Sequence, residues 1–215
     1  MSINTSLLPK LIAAVSDVIE KNADEITALD QAIGDGDHVF NLKRGIHALT
    51  EQSADLARLD WADALQKIGM VLMSTVGGAS GSLYGTLFVT MSKAARGRPV
   101  DTKTIADAFS QGVASVKLRG KADAGEKTML DVLIPVSECL LGKASAATPL
   151  PEMLAEMKQV AVQGMESTRD MVATKGRASF LGERSKGHID AGAKTAQLIL
   201  CAVAEVLATE LTAPT

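Results

Sequence analysis

Apolar residues recur at intervals of three and four along almost the whole chain, which is the spacing of an α-helix with one buried face. The first stripe runs from Leu8 to Ile19, and the last runs from Ala193 to Leu207. Alternating apolar and polar runs, which are typical of strands, are scarce. The pattern therefore predicts about eight helices. Their apolar stripes cover residues 8–19, 42–49, 61–72, 83–91, 105–116, 129–142, 154–172 and 193–207.

Residues at the ends of the stripes support these boundaries. Asp60 precedes the third stripe, and Asp101 or Thr102 precedes the fifth, as N-cap residues do. Pro135 lies inside the sixth and predicts a bend. Long helices joined by short connections favour sequential antiparallel packing. The predicted fold class is all-α, an eight-helix antiparallel up-down barrel or bundle, with residues 1–215 in a single domain.

Composition narrows the possible functions. The chain is 47% hydrophobic but only 3% aromatic, which suits a core of packed helices. A formal net charge of −3 provides no basic surface for nucleic acid. Cys139 and Cys201 lie in apolar helical patterns, as expected of buried thiols in the reducing cytoplasm. The N-terminal stretch is too polar for a secretion signal, so a cytoplasmic location is expected.

One stretch is long enough to cross a bilayer, because no charged residue lies between Lys67 and Lys93. It contains Gly77, Gly78, Gly81 and Gly85 and several serines and threonines. Two buried helices joined by a glycine turn are therefore a better interpretation, and no membrane association is expected.

Glycine and polar residues concentrate in four connections, at 33–38, 76–81, 119–128 and 175–192. These connections precede the second, fourth, sixth and eighth helices. Alternate connections of an up-down arrangement lie at the same end, so all four should converge there. Helix N-termini offer free N–H groups and a partial positive charge, which favour an anion such as phosphate. Residues 76–81, VGGASG, are a phosphate-binding candidate, and a plain glycine-rich turn is the equal alternative.

Three aspartates, Asp30, Asp35 and Asp37, lie close together in the first connection and at the end of the first helix. Carboxylates this close repel one another unless they share a cation, and oxygen donors suit Mg²⁺, Mn²⁺ or Ca²⁺ better than Zn²⁺. An EF-hand is excluded, because its twelfth position would be Ile46. The alternative is a capping loop at the second helix. His38 adjoins the aspartates, and a supporting or phosphate-facing role is favoured over metal ligation.

Residues 120–128, GKADAGEKT, nearly form a P-loop. The Walker pattern needs the lysine directly after the second glycine and follows a strand, whereas Glu126 intervenes here and a helix precedes. A P-loop fold is therefore rejected, and the segment is kept as a loop that could cover a nucleotide. The last connection offers Arg177, Arg184 and Lys186 for phosphate contacts, and for each of them a solvated surface charge is the equal alternative. Asp190 in the same connection is either a cap of the eighth helix or part of the site.

Four motifs, in order, resemble one known family: LDQAIGDGDHVFNLKRG, VGGASGSLYGT, RGKADAGEKTMLDVLIPV and GRASFLGERSKGHIDAGA. They are similar to the L subunit of bacterial dihydroxyacetone kinases, over essentially the whole chain. The resemblance implies an eight-helix barrel with ADP or ATP and two Mg²⁺ at one end. The implied Mg²⁺ ligands are Asp30, Asp35 and Asp37. The implied nucleotide site comprises His38, Val39, Phe40, Asn41, Ala79, Ser80, Gly120, Met129 against the adenine, Arg177, Asp190, Ala191 and Gly192.

The resemblance also implies a division of labour between subunits. A separate K subunit holds dihydroxyacetone, and the L subunit carries the nucleotide whose terminal phosphoryl group goes to that ketose, so no catalytic residue is expected from this chain. In the phosphotransferase-system version, which a stand-alone L subunit favours, an M subunit recharges the bound ADP in place. In the other version ATP exchanges, and the acceptor can be another ketose such as erythrulose.

Other functions stay open at this point. A phosphohydrolase could use the same aspartates, but it would need a positioned nucleophile that the sequence does not show. A regulator that reports nucleotide state to a transcription factor is compatible with the kinase role, and a homodimer is left open. Val39 and Phe40 stand where the family commonly has a glycine and a small or polar residue, and Ala191 replaces a frequent proline.

Overall fold

The computed structural model describes the backbone of residues 4–212 and the side chains of residues 4–210, and this part of the chain contains helices and no strand. The predicted all-α fold is confirmed. Three short 3₁₀ segments, Thr5–Leu7, Thr168–Asp170 and Arg177–Ser185, accompany the α-helices. The α-helices are α1 (Leu8–Lys21), α2 (Ala23–Ile33), α3 (His38–Glu51), α4 (Ser53–Leu56), α5 (Trp61–Thr75), α6 (Gly78–Ala95), α7 (Thr102–Gly120), α8 (Leu130–Ser145), α9 (Leu150–Ser167) and α10 (Ala191–Thr212).

Eight of these helices pack in a closed ring. The helices from α5 to α10 each contact the next one along the chain, and α10 contacts α1. The ring is completed by α1 against α3 and by α3 against α5. The shorter α4 packs against α1 and α3, and α2 packs against α3 and α10. The buried apolar stripes of the ring helices meet in one continuous hydrophobic core.

The first helix is shorter than predicted. The sequence pattern carried it to the region of Asp30, whereas α1 ends at Lys21 and α2 begins at Ala23. Asn22 separates them, and its side-chain amide donates to the carbonyl oxygen of Val18 at 2.7 Å. Asparagine competes in this way with the regular hydrogen bonds of a helix, which explains the break. Because only Asn22 intervenes, α2 takes the place of the second half of the predicted helix and ends just before the turn at residues 34–37, which carries Asp35 and Asp37.

Other boundaries are settled by capping. Asp60 accepts a hydrogen bond from the backbone N–H of Asp63 at 2.8 Å, as predicted for an N-cap. Asp101, rather than Thr102, caps α7, because its carboxylate accepts the N–H of Thr104 at 2.7 Å. The seventh predicted helix was too long, since α9 ends at Ser167. The bend predicted at Pro135 stays a prediction, and α8 continues through this residue.

The uncharged stretch between Lys67 and Lys93 forms the second part of α5 and most of α6, joined by a turn at Val76 and Gly77. The two-helix interpretation of this stretch is confirmed. By length and composition alone, Ala191–Glu210 of α10 could cross a membrane, with a mean hydropathy of 1.4. This is weak evidence, because 44% of that window is buried inside the fold and core helices meet the same criterion.

Candidate functional site

A cavity of about 540 Å³ lies where the four glycine-rich connections meet. Its walls include residues from each predicted connection, among them Asp35, Ala79, Lys127 and Arg177. The predicted convergence of the four connections is therefore confirmed. The volume is in the range of small-molecule sites, which run from roughly 300 to 1,000 Å³.

The first turns of four long helices contribute to these walls. They are the starts of α3 at His38, α6 at Gly78, α8 at Leu130 and α10 at Ala191. The first N–H groups of a helix lack partners within the helix, and the helix dipole adds a partial positive charge there. Such termini are anion sites when glycine lets the backbone approach closely, as Gly77 does before α6. The cavity is therefore suited to a multiply charged anion.

Three carboxylates form an acidic cluster in the cavity wall. Asp30 lies in the last turn of α2, and Asp35 and Asp37 lie in the turn before α3. Oxygen atoms of all three lie within 4.8 Å of one another. Three carboxylates with no sulfur donor fit a hard divalent cation such as Mg²⁺, which takes oxygen ligands.

The alternative of a capping loop is not supported by the hydrogen bonds. Asp37 occupies the N-cap position of α3, yet its side chain accepts no capping hydrogen bond there. Asp35 forms an ion pair with Arg177. Asp30, from the preceding helix, accepts the N–H of His38 at 3.1 Å. The carboxylates of Asp35 and Asp37 are thus not used to cap α3.

Two glycines shape this cluster. A Cβ atom on Gly34 would overlap the carboxylate of Asp30, so a larger residue would displace that side chain. Gly36 has φ +77°, a conformation that side chains with a Cβ rarely adopt. The glycine spacers are therefore required by the close approach of the three aspartates.

Basic residues approach the cluster from the last connection. Arg177, whose side chain is 71% exposed, pairs with Asp35 through one nitrogen, so its remaining N–H groups can serve an anion. Arg119 and Lys175 also line the cavity. Arg184 and Lys186, which were predicted as phosphate contacts, are not in the cavity walls, and Lys186 pairs with Glu183 at 2.8 Å.

His38 lines the cavity next to the cluster, with its ring between two hydroxyl groups. Its Nε2 is 3.0 Å from Thr195 Oγ1, and its Nδ1 is 3.4 Å from Ser80 Oγ. The Thr195 hydroxyl donates to the carbonyl of Gly192, so it accepts from Nε2–H, and Nδ1 accepts from Ser80. Burial lowers the pKa of His38 despite the nearby carboxylates. This arrangement fits the predicted supporting role.

Asp190 serves both of the roles that the sequence left open. Its carboxylate caps α10 by accepting the N–H of Ala193 at 2.8 Å, and the residue also lines the cavity. Burial raises the pKa of this carboxyl to about 6, and the Ala193 N–H and Lys127 act in the opposite direction. At neutral pH the carboxylate is thus ionised at some cost in stability.

Most of the other predicted site residues meet in the cavity, and two do not. The walls include Asn41, Ala79, Ser80, Gly120, Met129, Ala191 and Gly192. Val39 packs in the hydrophobic core, and Phe40 is 67% exposed with the Arg44 guanidinium 5.9 Å from its ring centre. Neither side chain lines the cavity, so their contacts with a ligand stay a prediction that concerns the backbone.

The family model described as "DAK2 domain" matches residues 32–205. The chain belongs to the DAK2 domain family. The match includes Asp35, Asp37 and the other three connections, whereas Asp30 lies just before it.

Two similar DAK2 relatives are bacterial kinase subunits. The ADP-binding subunit DhaL of PEP-dependent dihydroxyacetone kinase 1 from Listeria innocua serovar 6a is 40% identical over 185 residues, covering 86% of this chain and 88% of the relative. The corresponding ADP-binding subunit from Escherichia coli K12 is 37% identical over 201 residues, covering 93% of this chain and 96% of the relative. The resemblance to L subunits and the phosphotransferase class are thereby confirmed.

A solved structure supports the same assignment of the DAK2 fold. The dihydroxyacetone kinase from C. freundii, crystallised in complex with AMP-PNP and Mg²⁺, matches with a TM-score of 0.73 and 25% identity. The match covers 95% of this chain but 34% of that longer one.

The sequence did not single out several residues of this DAK2 cavity. Arg119 and Lys175 were not proposed for the site, and Lys127 and Thr128 entered only as part of the near P-loop. Lys127 is 1% exposed, although lysine is among the residues least often buried. The position of Lys127, directly before Thr128 and the start of α8 in a glycine-containing connection, was the available signal.

Proposed function

We propose that this DAK2 protein is the nucleotide-binding subunit of a dihydroxyacetone kinase and acts as a single domain. It holds ADP or ATP with Mg²⁺ and presents the terminal phosphoryl group to dihydroxyacetone, or a related ketose, on a separate K subunit. One observation carries the proposal: the cluster of Asp30, Asp35 and Asp37 lies in the wall of a cavity that four helix N-termini also line. The two parts match the metal and the phosphates of a magnesium nucleotide.

The acidic cluster is assigned to the metal. Asp30, Asp35 and Asp37 would hold one or two Mg²⁺ ions, which when bound neutralise phosphate charge. The exposed guanidinium of Arg177, in the last connection, adds positive charge that neutralises phosphate charge. Together these groups position an anion and balance its charge, which is the main demand of phosphoryl transfer.

An apolar part of the cavity wall is suited to the base. Met129 is 5% exposed and lines the cavity, as do Leu83, Val116 and Leu130. A polarisable thioether beside apolar side chains fits the flat face of adenine. The backbone around Ala79 and Ser80, at the start of α6, is assigned to the phosphates.

No catalytic base is assigned to this chain. The acceptor hydroxyl belongs to a ketose on the K subunit, so its deprotonation is assigned to that partner. The two bacterial relatives are named PEP-dependent and ADP-binding. These names support the version in which ADP stays bound and a phosphotransferase-system M subunit recharges it in place. We propose that this takes place in the cytoplasm.

The surface beside the cavity is assigned to the K subunit. Phe40 and Phe180 are 67% and 87% exposed, and each stands two residues after a residue of the cavity wall, His38 and Ala178. Aromatic side chains such as Phe are enriched in protein interfaces relative to the rest of the surface. Docking there would bring the ketose towards the terminal phosphoryl group.

Calorimetric titration of nucleotide-stripped protein tests the proposal. ADP is added in the presence of Mg²⁺ and, separately, in the presence of EDTA. We expect one ADP per chain with Mg²⁺ and a large loss of affinity with EDTA. Binding that is absent, or that is equally tight in EDTA, would overturn the assignment of the acidic cluster.

A further inference from the structure

Two neighbouring residues, Glu126 and Lys127, connect the segment before α8 to the segment before α10. We call residues 121–129 the α8 loop and residues 168–190 the final loop. The final loop carries Arg177 and Asp190 of the candidate nucleotide site, and both line the cavity. The position of this loop therefore decides where two of the proposed site residues lie.

Lys127 holds both ends of the final loop. Its side-chain ammonium group donates hydrogen bonds to the carbonyl oxygens of Thr168 and His188, which lie twenty positions apart in the chain. The side chain is 1% exposed, and its backbone has φ +61°. Burying an ammonium group is costly unless it is hydrogen-bonded, so these two carbonyls are needed to hold it inside.

Glu126 holds the middle of the same loop. Its carboxylate accepts a hydrogen bond from the hydroxyl of Thr174 at 3.0 Å and pairs with Lys175 at 3.4 Å. Its carbonyl oxygen also accepts the backbone N–H of Thr174 at 3.5 Å. The α8 loop thus contacts the final loop at its start, middle and end through two consecutive residues.

These contacts lead directly to the candidate site. Thr168, whose carbonyl accepts from Lys127, uses its hydroxyl to accept the backbone N–H of Asp190 at 3.1 Å. Lys175, which pairs with Glu126, is two residues before Arg177 and itself lines the cavity. Loss of either anchor would free a neighbouring site residue to move.

We propose that Glu126 and Lys127 are positioning residues, which clasp the final loop and thereby slow the release of bound nucleotide. This inference rests on the proposed function, because it presupposes nucleotide in the cavity. It assigns retention to two residues outside the set proposed to contact the nucleotide. A subunit that keeps ADP as a resident coenzyme needs such slow release.

The test is the rate at which radiolabelled ADP leaves the Mg²⁺-loaded protein after a chase with excess unlabelled ADP, at a temperature well below melting. Lys127→Met keeps the length of the side chain and leaves two carbonyls without their donor. We expect release to be ~10-fold or more faster, as for loss of a charged hydrogen bond. For Glu126→Ala, whose side chain is partly exposed, we expect ~3-fold, as for a weaker surface contact.

Matched controls come from the final loop itself. Glu183 and Lys186 pair with each other at 2.8 Å within that loop, so Glu183→Ala and Lys186→Met make the same two types of substitution in the loop without removing any contact of Glu126 or Lys127. We expect both controls to release ADP at the wild-type rate.

The melting temperature of the nucleotide-free variants distinguishes positioning from general stability. If Lys127→Met and Glu126→Ala have lower melting temperatures but release ADP at the wild-type rate, the proposal that these residues slow nucleotide release is refuted. If Lys127→Met does not fold, Glu126→Ala decides alone, and a wild-type rate for that variant overturns the proposal. A wild-type protein that binds no ADP would instead overturn the proposed function.

Discussion

Replacement of the carboxylate of Asp190 should change how stability depends on pH. The carboxylate lines the cavity and caps α10, and burial raises its pKa from 3.8 to about 6. An asparagine side chain at this position would be uncharged at every pH and could still accept the N–H of Ala193. The substitution Asp190→Asn therefore removes the titration while keeping the shape of the cap.

The sign and size of this pH-dependent change in the free energy of unfolding follow from proton binding by Asp190. Between about pH 4 and pH 6 the folded protein holds a proton on Asp190 that the unfolded chain has lost, so the free energy of unfolding falls as the pH rises. A pKa difference from 3.8 to about 6 is worth roughly 3 kcal/mol. The stability of Asp190→Asn relative to wild type should thus rise by up to this amount between pH 4 and pH 7.

Urea unfolding of nucleotide-free protein in EDTA, at several pH values, measures this difference. Asp101→Asn is a control of opposite sign, because the N–H of Thr104 and its hydroxyl lower the pKa of this exposed helix cap. Its carboxylate stabilises the fold above the unfolded pKa and loses that effect as the pH falls. The reasoning would be refuted if the free energy of unfolding of Asp190→Asn relative to wild type did not change with pH, or if it changed in the direction expected for Asp101→Asn.

Three further substitutions test the site and its partner surface. Asp35→Asn should abolish ADP retention while helical circular dichroism persists, with Asp55→Asn on α4 as the control; ADP at wild-type stoichiometry in Asp35→Asn would contradict the metal assignment. Gly34→Ala should weaken Mg²⁺–ADP binding by ~10-fold in calorimetry, because the new Cβ would displace the carboxylate of Asp30, which is proposed to bind the metal. Gly142→Ala, in open space on α8, should instead leave binding unchanged and stabilise the fold by about 0.5–1 kcal/mol in urea unfolding. Phe180→Glu should weaken binding to the K subunit in a pull-down and leave ADP retention intact; unchanged partner binding would remove this residue from the interface.

The part of the site that could be predicted depends on patterns that are local in sequence. The stripes between Leu8 and Leu207 give the helices, and the alternation of helix direction then places every second connection at one end. The break at Asn22 does not change this conclusion, because α2 leads to the same turn at residues 34–37, which carries Asp35 and Asp37. The three aspartates could be recognised as a cluster because they lie close together in the chain, with Gly34 and Gly36 between them.

The parts that could not be predicted depend on contacts between distant segments. Nothing local shows that the Lys127 ammonium group lies inside the fold, since its acceptors are carbonyls of Thr168 and His188. Main-chain acceptors carry no sequence signature. The 3₁₀ segment Arg177–Ser185 was similarly hidden, because its anchor to Asp35 and the packing of Ala178 on Ile33 join segments far apart in the chain.

The central claim is that the cavity holds a magnesium nucleotide as a resident coenzyme. It is tested most directly by the nucleotide content of protein purified from its own cells and dialysed extensively against Mg²⁺ buffer. Denaturation followed by chromatography quantifies the released ADP and ATP. The account predicts close to one ADP per chain. A protein that is empty after dialysis would contradict the resident coenzyme, and one that also takes up no added Mg²⁺–ADP or Mg²⁺–ATP would contradict nucleotide binding itself.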